Sequence, residues 1–242
     1  MISIIIASKN QKDLERCKQS IKQTIGVPYE VIVTENADGA VGLAEVYNRN
    51  AKKAKYNFLL FLHEDTEFKT NNWGVMLVNL LRKDDVGVIG IAGSTYMAAN
   101  GSWISPKVPF IKGRIVHACE RDNTKEQVEL FSEEEGNFEV VVLDGVFLAA
   151  KKSIVEEIPF DEETFTKFHF YDIDFSLRVA RKYKVMVTTD ILLKHYSGGG
   201  YDEQWWFFRE RFLRKHKEML PFTKGKEVPD WKRQVRWKVK YL

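Results

Sequence analysis

The 242-residue chain is 44% hydrophobic and 29% charged, an ordinary globular balance with room for one large domain and its own core. Its net charge of +3 hides an asymmetry: residues 1–208 hold 25 Lys+Arg against 30 Asp+Glu, net −5, and residues 209–242 hold 12 against 4, net +8. An acidic body argues against nucleic acid as a partner, two cysteines (Cys17, Cys119) exclude a disulfide scaffold or zinc ribbon, and no apolar run reaches the ~18 residues of a membrane span.

The start, Met1-Ile2-Ser3-Ile4-Ile5-Ile6, has no basic n-region or cleavage site and reads as a first strand, Ile2–Ala7. With the cysteine usage, this predicts a reducing, cytoplasmic setting. Leu14, Cys17 and Ile21 then repeat at helical spacing behind Asn10. Val31–Thr34 reads as a strand, Leu43–Ala54 as a helix and Phe58–Leu62 as a strand. Asn71 or Asn72 can cap a helix through Leu81, and Val86–Ile91 is a fourth strand. This alternation predicts an α/β fold with a mainly parallel, Rossmann-like sheet flanked by helices.

Residues 99–137 are less regular. They fit an inserted flap or acceptor-side region with hairpin strands at Arg114–Ala118 and Gln127–Phe131, or a solvated loop. Phe138–Leu143 and Val146–Ala150 return to strand character. Tyr171–Tyr183 is expected to be a helix, Val185–Thr188 and Leu192–His195 short strands, and Tyr201–Met219 an aromatic-rich helix.

Polar clusters sit at the ends of these elements. Five apolar residues, Phe58–Leu62, run into His63-Glu64-Asp65. A strand buried on both faces holds such groups rigidly where open α/β sheets bind ligands. Hard oxygen ligands there suit Mg²⁺ or Mn²⁺ carrying a phosphorylated substrate; a polar strand end is the plainer alternative. Ala7-Ser8-Lys9-Asn10 and Glu35-Asn36 follow the first two strands and converge on the same edge. Asp172 and Asp174 open a helix behind the aromatic run Phe168-His169-Phe170-Tyr171. They serve either as first-turn acids or, for Asp172, as a general base that the helix N-terminus keeps ionised at neutral pH. His195 precedes Ser197-Gly198-Gly199-Gly200, which admits an anion or simply forms a flexible connection.

These motifs in this order resemble family-2-type glycosyltransferases of the GT-A fold. The resemblance rests on Ile4–Asn10, Glu30–Asn36, Asn48 and Ala54 ahead of Phe58–Asp65, Phe160-Asp161-Glu162, Tyr171–Arg178 and His195. It lies nearest the bacterial glycosyltransferase-like subgroup with a His-x-Asp metal motif and a Phe-His-x-Tyr-Asp-x-Asp segment. The resemblance implies a GT-A domain over residues 1–220 and a basic, aromatic extension over 221–242. It implies metal-assisted, inverting transfer from a nucleotide-diphosphate sugar to the hydroxyl of a glycan or lipid-linked acceptor. Asp172 would be the base, and Asp65, His195 and His63 would hold Mn²⁺ or Mg²⁺. Ala7, Ser8, Glu35, Asn48, His63, Glu64, Asp144, Gly145 and Asp174 would contact the nucleotide sugar. His63 stands where the family places its first metal-motif acid, and Tyr47 where an Arg often precedes the helix Asn. A sugar nucleotidyltransferase and a non-catalytic nucleotide-sugar-binding protein are the rival readings; absence of Gly from residues 7–13 counts against the first.

The last twelve residues carry their own pattern. On a helix, Trp231, Val235, Val239 and Leu242 share one face, and Lys232, Arg233, Arg236 and Lys240 another. That arrangement suits peripheral contact with the anionic inner face of a membrane; packing of the apolar face on the domain is the alternative.

Overall fold

The computed structural model describes residues 1–37, 39–104, 110–118, 126–130, 135–196 and 201–224. The Ser197–Gly200 segment and the helical pattern expected at 231–242 lie outside the described residues.

The first half follows the expected alternation: β1 (Ile2–Ser8), α1 (Gln11–Thr24), β2 (Tyr29–Glu35), α2 (Leu43–Lys53), β3 (Phe58–His63), β4 (Thr66–Phe68), α3 (Trp73–Leu81) and β5 (Val86–Gly90). Asn10 caps α1, its side chain accepting from the N–H groups of Lys12 at 2.9 Å and Asp13 at 3.4 Å. Asn72 does precede α3, but in the left-handed region at φ 57° and with no side-chain cap. The start of α3 is held instead by the Gly74 N–H on the Ile25 carbonyl at 2.9 Å and by Trp73 Nε1 on Thr24 Oγ1 at 3.0 Å.

The second half comprises β6 (Ala92–Ser94), β7 (Tyr96–Met97), β8 (Ile111–Ala118), β9 (Glu126–Leu130), β10 (Asn137–Val140), β11 (Val142–Leu143), β12 (Phe147–Lys151) and α4 (Lys152–Glu157). It ends with α5 (Tyr171–Ala180), β13 (Lys184–Thr188), β14 (Leu193–His195), α6 (Glu203–Lys215) and β15 (Phe222–Thr223). Among the described residues no helix is long and apolar enough to cross a membrane.

The main sheet has seven strands in the order β10-β13-β5-β12-β3-β1-β2. Successive side chains on a strand point to opposite faces. Ile4, Ile6, Leu60 and Leu62 accordingly pack with Leu14, Cys17 and Ile21 of α1 and Leu77 of α3. Ile5, Leu59 and Phe61 pack on the other face with Val46 and Tyr47 of α2, Phe175 of α5 and Phe208 of α6. Cover on both faces is why Phe58–Leu62 is apolar throughout.

The sheet is parallel only in part. β1 runs parallel to β2 and β3, and β13 parallel to β5. β12 lies antiparallel between β3 and β5, and β10 antiparallel to β13. The reversal of β12 has a local consequence. Phe147 pairs with Leu62, and the His63 N–H bonds the Val146 carbonyl at 3.1 Å. The turn before β12, holding Asp144 and Gly145, is thereby set beside the carboxyl end of β3.

Within the irregular middle, β8 is built into the fold. β8 pairs with β9 as the expected hairpin, and it is also an inner strand of a second sheet, β11-β6-β8-β14-β4. Its Ile115 and Val116 are buried. The single strand expected over Phe138–Leu143 is divided between the two sheets as β10 and β11.

Candidate active site

The carboxyl ends of β1 and β3, the turn before β12, the first turn of α5 and the end of β14 surround one cleft of about 500 Å³. Ala7, His63, Glu64, Asp65, Asp144, Gly145, Asp172 and His195 all line it.

His63, Asp65 and His195 each place a ligand atom within 4.8 Å of the others. Residue 195 arrives through strand pairing. β14 runs antiparallel to β4 with His195 opposite Thr66, and the Tyr196 N–H bonds the Asp65 carbonyl at 2.9 Å. His195 Nε2 then sits 3.3 Å from Asp65 Oδ1. Burial works to lower the His195 pKa, but the Asp65 hydrogen bond and charge raise it overall. Burial likewise works against ionised Asp65, yet the His195 hydrogen bond and charge hold that carboxyl below its ordinary value. Burial pushes His63 down, which favours the neutral imidazole. One ionised carboxylate and two imidazoles form a donor set that could hold a divalent cation in exchange for a proton.

Glu64 is committed to the backbone. Its carboxylate accepts from the N–H of Lys9 at 2.7 and 2.9 Å and of Asn10 at 3.1 Å, fixing the loop between β1 and α1. Burial raises its pKa against the pull of these donors and of Ser8.

Asp172 sits in the first turn of α5. Burial, and then the charge of Asp144, push its pKa up to about 7, against the N–H groups of Ile173, Asp172 and Gly145. The helix N-terminus thus keeps this acid only partly ionised at neutral pH, because desolvation beside a second carboxylate offsets the helix end. Gly145 makes the close approach feasible. A Cβ there would fall on the Tyr171 hydroxyl and within 2.9 Å of Asp172 Oδ2. The turn into α5 is strained, since Phe170 adopts φ 67°, at a cost of about 1–2 kcal/mol for an L-residue with a large side chain. Its buried ring is clamped by Trp205 and Phe212 of α6, each at 5.3 Å between centroids.

Four expected contacts fall outside the cleft lining. Asp174 is fully buried, with Arg178 Nε at 2.7 Å, Lys215 Nζ at 2.6 Å and His216 Nε2 at 2.7 Å, and it ties α5 to α6. The Asn48 amide bridges the backbone of Phe160 at 2.8 and 3.0 Å and the Glu162 carboxylate at 2.7 Å. Glu35 is exposed at the end of β2, while its neighbour Asn36 lines the cleft. Ser8 is buried beneath the lining. Conversely, Tyr47, Trp103, Phe168, Tyr201 and Trp205 line the cleft without having been singled out as binding residues. The aromatic run at Phe168–Tyr171 and the aromatic-rich stretch from Tyr201 signalled three of these positions; nothing in the irregular stretch signalled Trp103.

Sequence comparison with curated proteins gives no match. Two solved structures share the architecture. One is GalNAc-T7 with UDP, GalNAc and Mn²⁺, with a TM-score of 0.60 and 13% identity over 90% of this chain and 48% of that one. The other is the mannosyltransferase PcManGT from Pyrobaculum calidifontis in complex with GDP-Man and Mn²⁺, with a TM-score of 0.57 and 14% identity over 96% of this chain and 67% of that one. The chain thus spans about half the length of the first and two thirds of the second. At these identities the likeness is one of fold, and the fold is GT-A. The model of the glycosyltransferase-like family matches residues 3–218, and the chain belongs to that family.

Proposed function

We propose that the protein transfers a glycosyl group from a nucleotide-diphosphate sugar to an acceptor hydroxyl, by single displacement with inversion. The observation that carries this reading is the meeting of Asp172, its pKa raised to about 7, with the His63–Asp65–His195 cluster in one cleft. A base poised near neutral pH is what proton removal from a sugar or lipid hydroxyl needs.

His63, Asp65 and His195 would hold the divalent cation. Two imidazole nitrogens beside one carboxylate suit Mn²⁺ better than Mg²⁺, and both structural neighbours were solved with Mn²⁺. When bound, such a cation stabilises negative charge on the departing diphosphate. The remaining roles belong to the chain. Asp172 accepts the acceptor's proton at its carboxylate. Asp144 keeps that carboxylate basic through like charge, while its own Oδ1 accepts from the Val146 N–H at 2.9 Å. Ala7 and Asn36 would form the wall for the nucleoside, and Lys9 brings positive charge to the cleft. Residues 1–220 would form the catalytic domain, and 221–242 an extension.

The test is thermal stabilisation by UDP and GDP, since a ligand that binds only the folded state raises Tm by mass action. One of the two should stabilise the protein more with Mn²⁺ than with EDTA, and Asp65→Ala should remove that increment. An unchanged increment in the variant takes Asp65 out of the site.

A further inference from the structure

Two large rings of α6 are exposed. Trp206 is 56% exposed and Phe207 54% exposed, and Tyr201 just before the helix is 63% exposed. The helix docks through Phe208 and Phe212, which are buried, and through the half-buried Trp205. Core packing therefore does not account for Trp206 and Phe207. Each has an arginine over its ring: the Arg209 guanidinium lies 5.6 Å from Trp206, and that of Arg211 4.7 Å from Phe207. Glu203 and Glu210 share the helix surface, and Glu210 is occupied by Arg209 at 2.8 Å. From Arg209 onward the chain is strongly basic, net +8 over residues 209–242.

We infer that Trp206 and Phe207 dock the protein on an anionic lipid surface. Aromatic rings beside guanidinium groups match the headgroup zone, where the ring enters the acyl boundary and the cation stays with phosphate. The described residues 209–224 hold 6 Lys+Arg against 2 Asp+Glu, a net +4 that complements a negatively charged sheet of headgroups. Trp205, whose ring lies 4.8 Å from that of Trp206 and 4.7 Å from that of Tyr201, lines the cleft together with Tyr201. Docking through α6 would bring Tyr201 and Trp205, which border the cleft, near the bilayer, so the acceptor hydroxyl would be carried by a membrane-borne molecule. That last consequence rests on the glycosyl-transfer reading; the docking itself does not.

The test is co-sedimentation of the full chain with mixed phosphatidylcholine–phosphatidylglycerol vesicles and with pure phosphatidylcholine vesicles, at low and high salt. Both substituted positions are exposed, so the double variant Trp206→Ser/Phe207→Ser keeps the fold, as its Tm checks. Wild type should partition onto the mixed vesicles at low salt and far less onto the neutral ones. The double variant should lose about tenfold or more of that partitioning, since binding scales with the apolar area inserted. Undiminished binding by the double variant overturns the inference, because the rings are then not the contact. So does absence of wild-type binding, or equal binding to both vesicle types. Stabilisation by UDP or GDP with Mn²⁺ is measured in parallel and should be the same in both proteins. If neither nucleotide stabilises either protein, the glycosyl-transfer reading fails, and the lipid result stands on the sedimentation alone.

Discussion

The Tyr171 hydroxyl lies 3.1 Å from His63 Nε2 and donates its proton to the Gly145 carbonyl at 3.3 Å. A carbonyl only accepts, and Tyr171 has one proton to give. With that proton on Gly145, the His63 tautomer that matches the pair donates through Nε2 and keeps the Nδ1 lone pair for a cation. Burial raises the Tyr171 pKa well above its ordinary value, so the proton stays in place. Outer partners that fix a ligating imidazole are worth about 10–100-fold in metal affinity.

Tyr171→Phe removes only this hydroxyl. We expect Mn²⁺ affinity, measured by titration calorimetry without nucleotide, to fall about 10-fold or more with little change in Tm. Affinity equal to wild type would show that the Tyr171 hydroxyl does not orient His63.

Asp172 makes stability depend on pH with a definite sign. Its pKa is 3.8 in the unfolded chain and about 7 when folded. The folded protein therefore binds the proton more tightly, and stability present below pH 3.8 is lost as pH rises toward 7. Asp172→Asn stays neutral throughout. At pH 8 it should be more stable than wild type, by on the order of 2–4 kcal/mol, and this gain should shrink as pH falls toward 4. Denaturant melts at several pH values measure it. A variant less stable than wild type at pH 8 would place Asp172 outside the desolvated position described.

Asp174 is expected to behave as a structural acid. It is buried among Arg178, Lys215 and His216. His216, Arg178 and Lys215 hold its pKa below the ordinary value against the cost of burial. Asp174→Ala leaves the half-buried Arg178 and the buried His216 without their carboxylate and should cost about 1–3 kcal/mol in a denaturant melt. A loss of less than about 1 kcal/mol would show that the network does not hold α5 to α6.

Much of this was legible in the chain because periodicity and burial coincide. The apolar run Phe58–Leu62 ends in His63-Glu64-Asp65, and the structure places all three at the cleft. Strand direction was not legible. Val146–Ala150 has strand character either way, yet its antiparallel entry as β12 is what brings Asp144 and Gly145 beside His63. Short elements such as β4, β6 and α4 were missed, because three to six residues show no full period of either pattern. The site was only half readable for a related reason. Asp172 and Asp174 look alike two residues apart, but the helical turn sends one into the cleft and the other beneath it toward α6. Asn48 and Glu35 occupy suggestive positions in sequence, whereas the fold uses the first to brace Phe160 and leaves the second exposed.

The most direct measurement is release of UDP or GDP from a panel of nucleotide sugars with Mn²⁺, by wild type and Asp172→Asn, with donor binding followed in parallel. The account predicts turnover of at least one donor by wild type, rising with pH through about 7 as Asp172 loses its proton. It predicts a fall of ~10²–10⁴-fold in the variant, the contribution of a positioned base, with donor affinity nearly unchanged. Wild-type binding without turnover of any donor, or a variant that turns over at near the wild-type rate, would contradict it.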